Sequence, residues 1–173
     1  MRVTDMIYTI GHSRHAIGPF TKLLNTHAIA RLVDVRSQPV SKWASHFDRA
    51  SLAQFLGTRS IDYVFLGRQL GGRPEDRAFY REDGSVDHAL RSAAPDFMAG
   101  IAQLVELAGS RRTVILCAEE DPAGCHRRRL VAPALRRAGL AVVHIRGGGR
   151  LEPDAPDVVD PEPSRQIDLF GGR

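Results

Sequence analysis

The sequence predicts a single layered α/β domain with a mainly parallel, Rossmann-like central sheet flanked by helices. Three observations carry that expectation. Short continuous apolar runs, bounded by turn residues, suit strands covered on both faces. Between them lie segments whose apolar residues recur at spacings of three and four. The two kinds of segment alternate, as strand–helix–strand units do.

The predicted strands are residues 7–10 (IYTI), 32–35 (LVDV), 114–117 (VILC) and 141–145 (AVVHI), with 62–66 (DYVFL) as a fifth candidate. Helical patterns fall at 19–26, with Phe20, Leu23 and Leu24 on one face, and at 51–56, which opens on Ser51 as a cap. A longer one covers 95–108 through Phe97, Ile101, Leu104, Val105 and Ala108. The last spans 126–138, and Gly139 stops it. Pro133 fits that helix near its first turn and kinks it anywhere else. Residues 67–94 have weak periodicity and read as a lid, a binding loop or an insertion without consequence.

The 173 residues suffice for one domain with its own core, assigned to residues 1–148. No apolar run reaches the roughly 18 residues of a membrane span. Asp5 interrupts any signal-peptide core, so a cytoplasmic location and reduced cysteines are expected. No membrane partner follows, and the oligomeric state is open. The chain carries a net charge of +4; from Leu151 onward there are six acids and two bases, a net of −4, which leaves +8 on residues 1–150. A basic body suits nucleic acid or a phosphorylated small molecule, or serves solubility alone.

In a sheet of this kind ligands bind beyond the carboxyl ends of the strands, so the residues there are the candidates. After the first strand, Gly11 lets backbone approach a ligand, His12 offers a titratable ring and Ser13 a hydroxyl. His12 also reads as an ordinary loop histidine. After the second come Asp34, Arg36 and Pro39. An acid inside a buried run needs a partner. Arg36 is the simplest one, or it grips a phosphate. After VILC stands CAEEDPAGCHRRR, which holds both cysteines of the chain. Cys125 and His126 near a helix start, with Arg127 beside them, suit a lowered thiol pKa and a bound anion. The plainer alternative makes Cys117 a core residue, His126 a helix residue and Glu119 a solvent-facing acid. Two cysteines eight apart lack a CxxC pair, so no metal is expected; zinc shared with His12 is the alternative. There is no GxGxxG and no GxxxxGK[ST], so no cofactor is predicted.

Four motifs occur in order: TIGHS, LVDVRSQP, LGRQLGGR and CAEEDPAGCHR. Together they make the chain resemble the family called domain of unknown function 488, over roughly residues 7–146. The resemblance implies a compact α/β domain. By their place in the family pattern it points to Gly11, His12, Ser13, Asp34, Arg36, Pro39, Cys117, Glu119, Cys125, His126 and Arg127 as site residues. Arg73, from LGRQLGGR, joins the anion-binding set. The family has no settled activity, so no reaction is implied.

Residues 149–165 are acidic and Pro-rich and are expected to form a disordered linker. The tail, residues 166–173, begins QIDLF, which resembles the bacterial sliding-clamp-binding pentapeptide. In that reading Leu169 and Phe170 fill an apolar pocket, Ile167 and Asp168 complete the pattern, and the Gln166 amide bonds at the rim. A chance match, or docking of the tail on its own domain, is the alternative. The reading that unites these features is a DNA-associated enzyme, acting on nucleic acid or a nucleotide in repair or replication and tethered to the clamp. Its reaction is hydrolytic or a nucleophilic attack, with Cys117 or Cys125 as nucleophile or pocket wall, His12 or His126 as acid/base, Asp34 or Glu119 as orienter or base, and Arg36 and Arg127 as anion clamps. A non-catalytic DNA- or clamp-binding adaptor, and an enzyme for a phosphorylated or sulfur-bearing metabolite, are the alternatives.

Overall fold

In the computed structural model, which describes residues 5–155, six strands form one sheet. They are β1 (Met6–Gly11), β2 (Arg31–Asp34), β3 (Asp62–Phe65), β4 (Thr113–Cys117), β5 (Ala141–Ile145) and β6 (Leu151–Pro153), in the order β3-β2-β4-β1-β5-β6. The first five pair in parallel and β6 runs antiparallel to β5. The layered α/β architecture is therefore the one the sequence predicts.

The continuous apolar strands are explained by helices on both faces. Helices α1 (Ile17–Thr26) and α2 (Arg49–Gly57) set Phe20, Leu24, Leu52 and Leu56 against Leu32, Val114, Leu116 and Ile145. On the other face Phe97, Ile101, Leu104 and Leu135 meet Ile7, Val33, Ile115 and Val142. Neighbours along β4 thus enter opposite cores, as the two-residue strand period requires. Among the described residues no helix is long and apolar enough to cross a membrane.

Residues 67–94 are held by caps and one buried arginine rather than by an apolar stripe, which accounts for their weak periodicity. They contain α3 (Gly67–Leu70), a bridge between Tyr80 and Val86, and α4 (His88–Ser92), whose first turn donates to the Asp87 carboxylate. Arg91, fully buried, donates to both oxygens of Asp96 at the start of α5 (Pro95–Ser110). The segment predicted as one helix over 126–138 is divided. A π-helical turn covers Arg127–Val131, and α6 (Ala132–Arg137) follows. Pro133 is the second residue of α6 and follows the π turn directly, so its missing N–H coincides with the change of helical register.

The sixth strand carries the fold past residue 148, into residues whose composition suggests a disordered linker. Its acids are ion-pair partners rather than unburied charge. Glu152 binds Arg146 at 2.9 Å and Arg150 at 3.1 Å. Asp154 lies against His144, Arg128 and Arg136. The QIDLF peptide, Gln166 to Phe170, lies outside the described residues.

The chain path locates the site. β1 and β2 feed helices on one face, while β4, between them, feeds α6 on the other. Crevices therefore open on both sides of the carboxyl end of β4. Gly11 closes β1 against that end. A Cβ there would stand 1.7 Å from the Glu119 carbonyl oxygen. Gly11→Ala should cost about 1–3 kcal/mol or more in urea unfolding. Gly18→Ala, in open space on α1, should be neutral or gain up to about 1 kcal/mol. Equal midpoints for the two variants would refute this account of Gly11.

Candidate active site

Three strand ends are laced together by backbone. His12 N donates to Cys117 O at 3.0 Å, Ser13 N to Ala118 O at 2.8 Å, and Val35 N to Leu116 O at 3.1 Å. The turn after β4 is held from beneath by Arg127. Its buried guanidinium donates to the Glu119 and Glu120 carbonyls. That engagement makes Arg127 a brace for the turn, not a cation facing the solvent.

Arg36 is likewise committed. Its Nε and Nη2 grip the two oxygens of Asp34 at 2.9 and 2.7 Å, and Nη2 also donates to Phe47 O at 2.8 Å. Tyr63 donates its hydroxyl to Asp34 at 2.7 Å. The buried acid has the arginine partner its position demands. Arg36 Nη1 lies 3.2 Å from His12 Nε2. A guanidinium only donates, so Nε2 accepts, and the ring proton sits on Nδ1, 2.9 Å from Ser13 O. The ring stacks on Phe47 at 4.5 Å. Burial, then the Arg36 charge, lower the His12 pKa below its usual value.

The cysteines meet over the end of β4. A turn at Pro122–Gly124, capped by the Asp121 carboxylate, folds the seven residues between them back on themselves. His126 Nδ1 then lies 3.5 Å from Cys117 Sγ and 3.8 Å from Cys125 Sγ. His126 Nε2 is 3.1 Å from Val35 O, which can only accept, so Nε2 carries a proton. Cys117 Sγ donates to Glu119 Oε2 at 3.0 Å. The two thiols diverge in acidity. Cys117 is pushed up, first by its hydrogen bond to Cys125, then by burial and by Glu119. Cys125 is brought down to about 5, first by Cys117, then, against the effect of burial, by His126 and Arg127. Burial, the largest single influence, works to raise Glu119, but the hydrogen bonds from Cys117, from its own backbone and from Cys125, with the His126 charge, together outweigh it and the net shift is downward.

These groups form the floor of a cavity of about 490 Å³. His12, Arg36, Arg73, Cys117, Glu119, Cys125 and His126 all line it. Asp34 stands behind Arg36. Gly11 and Ser13 serve the backbone lacing, and the Pro39 carbonyl accepts from Arg49 N at 2.9 Å. The family model described as "Domain of unknown function DUF488" matches residues 16–133. The chain belongs to this family. No curated protein and no solved structure matches it. The match takes in Asp34, Arg36, Arg73 and the whole 117–127 segment, and begins just after GHSRH.

The DUF488 site also contains residues that the sequence does not single out, among them Arg129, which reads there as surface charge. Ser37, Gly72, His88 and Arg129 line the cavity. A Cβ on Gly72 would lie 2.7 Å from His126 Cγ, so the second glycine of LGGR is a contact that a Gly pair could have signalled. His88 comes from the irregular 67–94 stretch and has no such signal. Trp43, the single tryptophan, is 96% exposed and follows the lining residues Val40 and Ser41 in the chain.

The His12 arrangement is testable by NMR. Its folded pKa lies below the unfolded value of about 6.5. The neutral ring therefore contributes stability that is full above pH 6.5 and declines as pH falls through the folded pKa. His12 should show the Nδ1–H tautomer at pH 7 and a midpoint below 6.5. A midpoint above 6.5 would contradict the Arg36–His12 contact.

Proposed function

We propose that this domain is an enzyme acting on nucleic acid or a nucleotide, in DNA repair or replication, and that its C-terminal peptide tethers it to the sliding clamp. One observation carries the reading. A single cavity joins a floor of two thiols, an imidazole and a carboxylate to walls bearing Arg73, Arg129 and His88. Glu119 is the one acid in that lining among the described residues. With Arg36 and Arg127 occupied by internal acceptors, Arg73 and Arg129 are the exposed cations at the cavity, and they suit a phosphate. Glu119, hydrogen-bonded to Cys117 at the edge of the floor, is the proton carrier.

Two further features favour nucleic acid over a small metabolite. Residues 1–150 carry the +8 charge described above. Trp43, almost wholly exposed, next to Lys42 and two residues along the chain from the lining residue Ser41, offers a flat face on which a base can stack. An adaptor with no chemistry would have little use for buried thiols converging on a histidine.

Single-stranded DNA should bind with an affinity that falls steeply with salt. The Arg73→Ala/Arg129→Ala double variant should weaken binding and reduce the salt slope by about two. Trp43→Ala should cost about 1–3 kcal/mol with the slope unchanged. Binding that ignores salt, or that all three substitutions leave intact, would refute the interface.

A peptide of residues 160–173 should bind the clamp, and Leu169→Ala with Phe170→Ala should abolish that binding. Full binding by the double variant would sink the tether.

A further inference from the structure

We propose that Cys117, Cys125 and His126 bind one zinc ion, whose fourth position opens to the cavity with Glu119 beside it as the base for a metal-bound water. The sequence spacing gives no hint of such a centre; the fold creates it. Around a tetrahedral zinc, with sulfur at about 2.3 Å and nitrogen at about 2.0 Å, sulfur and nitrogen stand about 3.5 Å apart and two sulfurs about 3.8 Å. His126 Nδ1 is 3.5 and 3.8 Å from the two sulfurs, and all three donor atoms lie within 4.8 Å of one another. Seating the ion therefore needs shifts of about an ångström or less.

The surroundings fit a ligand set better than a thiol nucleophile. An attacking thiol needs access, yet Cys117 and Cys125 are 3% and 1% exposed. The imidazole faces both sulfurs rather than pairing with one. Its other nitrogen donates to the Val35 carbonyl, the outer bond that orients a metal-binding histidine and leaves Nδ1 free to ligate. Gly72 packs closely against the His126 side chain, where a Cβ would come within 2.7 Å of Cγ, so a larger residue there would push the imidazole from its position. Two thiolates and a neutral imidazole balance a divalent cation, which a buried site requires.

Among the described residues only these three donors converge. Structural zinc sites are closed by four protein ligands, whereas three with an open position mark a catalytic site. Glu119 borders the trio at 3.0 Å from Cys117 Sγ without being part of it, two residues beyond its first ligand. Zinc held by cysteines and histidine, with a non-ligating glutamate as proton carrier, is also how nucleobase deaminases activate water. Here the bound water passes a proton to Glu119. The hydroxide forms a bond to an electrophilic carbon or phosphorus, the bond to the leaving group breaks, and that group takes the proton from Glu119. That the electrophile belongs to a nucleotide rests on the reading above; the metal itself does not.

The test uses the full chain, purified in reductant. Elemental analysis should find one zinc per chain. After chelation, cobalt(II) should restore one equivalent with a sulfur-to-cobalt charge-transfer band and the intense visible bands of four-coordination. His126→Ala and Cys125→Ser, checked for folding by circular dichroism, should each weaken cobalt binding by more than about tenfold, the smallest loss typical of even an outer partner. Glu119→Gln should keep the stoichiometry and the band. Folded, reduced protein that binds neither metal, or binds cobalt equally well as His126→Ala and Cys125→Ser, would overturn the site. A band lost in Glu119→Gln would overturn its assignment as base. DNA binding by metal-free protein would separate failure of the metal from failure of the substrate reading.

Discussion

The Glu119 carbonyl occupies the space where any side chain at position 11 would project. The rest of the site depends on that close approach. It lets β1 continue along the end of β4, so His12 and Ser13 take the carbonyls of Cys117 and Ala118. Arg127 reaches up from the π turn to the same loop, and in doing so draws Cys125 and His126 over Cys117. One backbone contact, open to glycine alone, thus sets where the sulfurs, the imidazole and the carboxylate meet. Gly72 repeats the device on the opposite wall, against the His126 ring.

The arginines divide by what they can still bind. Arg36, Arg91 and Arg127 are buried, and each is spent on fixed acceptors: Asp34 and Phe47 O, Asp96, and the carbonyls at 119 and 120. They build the frame. Arg73 and Arg129 are exposed at the cavity and can meet an incoming anion. The cavity is therefore framed by buried, internally paired arginines, with a separate, accessible set of cations at its edge. Such a division suits the proposed enzyme, whose reacting groups must be positioned before a substrate arrives.

Much of the fold was legible because burial leaves a plain mark. β1, β2, β4 and β5 are continuous apolar runs, since helices cover both faces of the sheet. Asp34 could be paired with Arg36 because a buried acid demands a cation. β6 was not legible: its acids resemble a linker until Arg146, Arg128 and Arg136 are seen opposite them. The π turn was hidden because Leu130, Val131, Ala134 and Leu135 keep an ordinary helical spacing across it. Arg127 looks like an anion clamp from its neighbours, and only the folded turn shows its carbonyl partners. The Cys117–Cys125–His126 convergence depends on a three-residue turn that no spacing rule encodes.

The central claim is that the cavity at the end of β4 receives a phosphate-bearing substrate above the sulfur–imidazole floor. A crystal structure grown with a short single-stranded oligonucleotide tests it most directly. The account predicts a phosphate between Arg73 and Arg129, a base against Trp43, and the reacting part of the nucleotide beside Glu119. An oligonucleotide bound on another face, with this cavity unengaged, would contradict it.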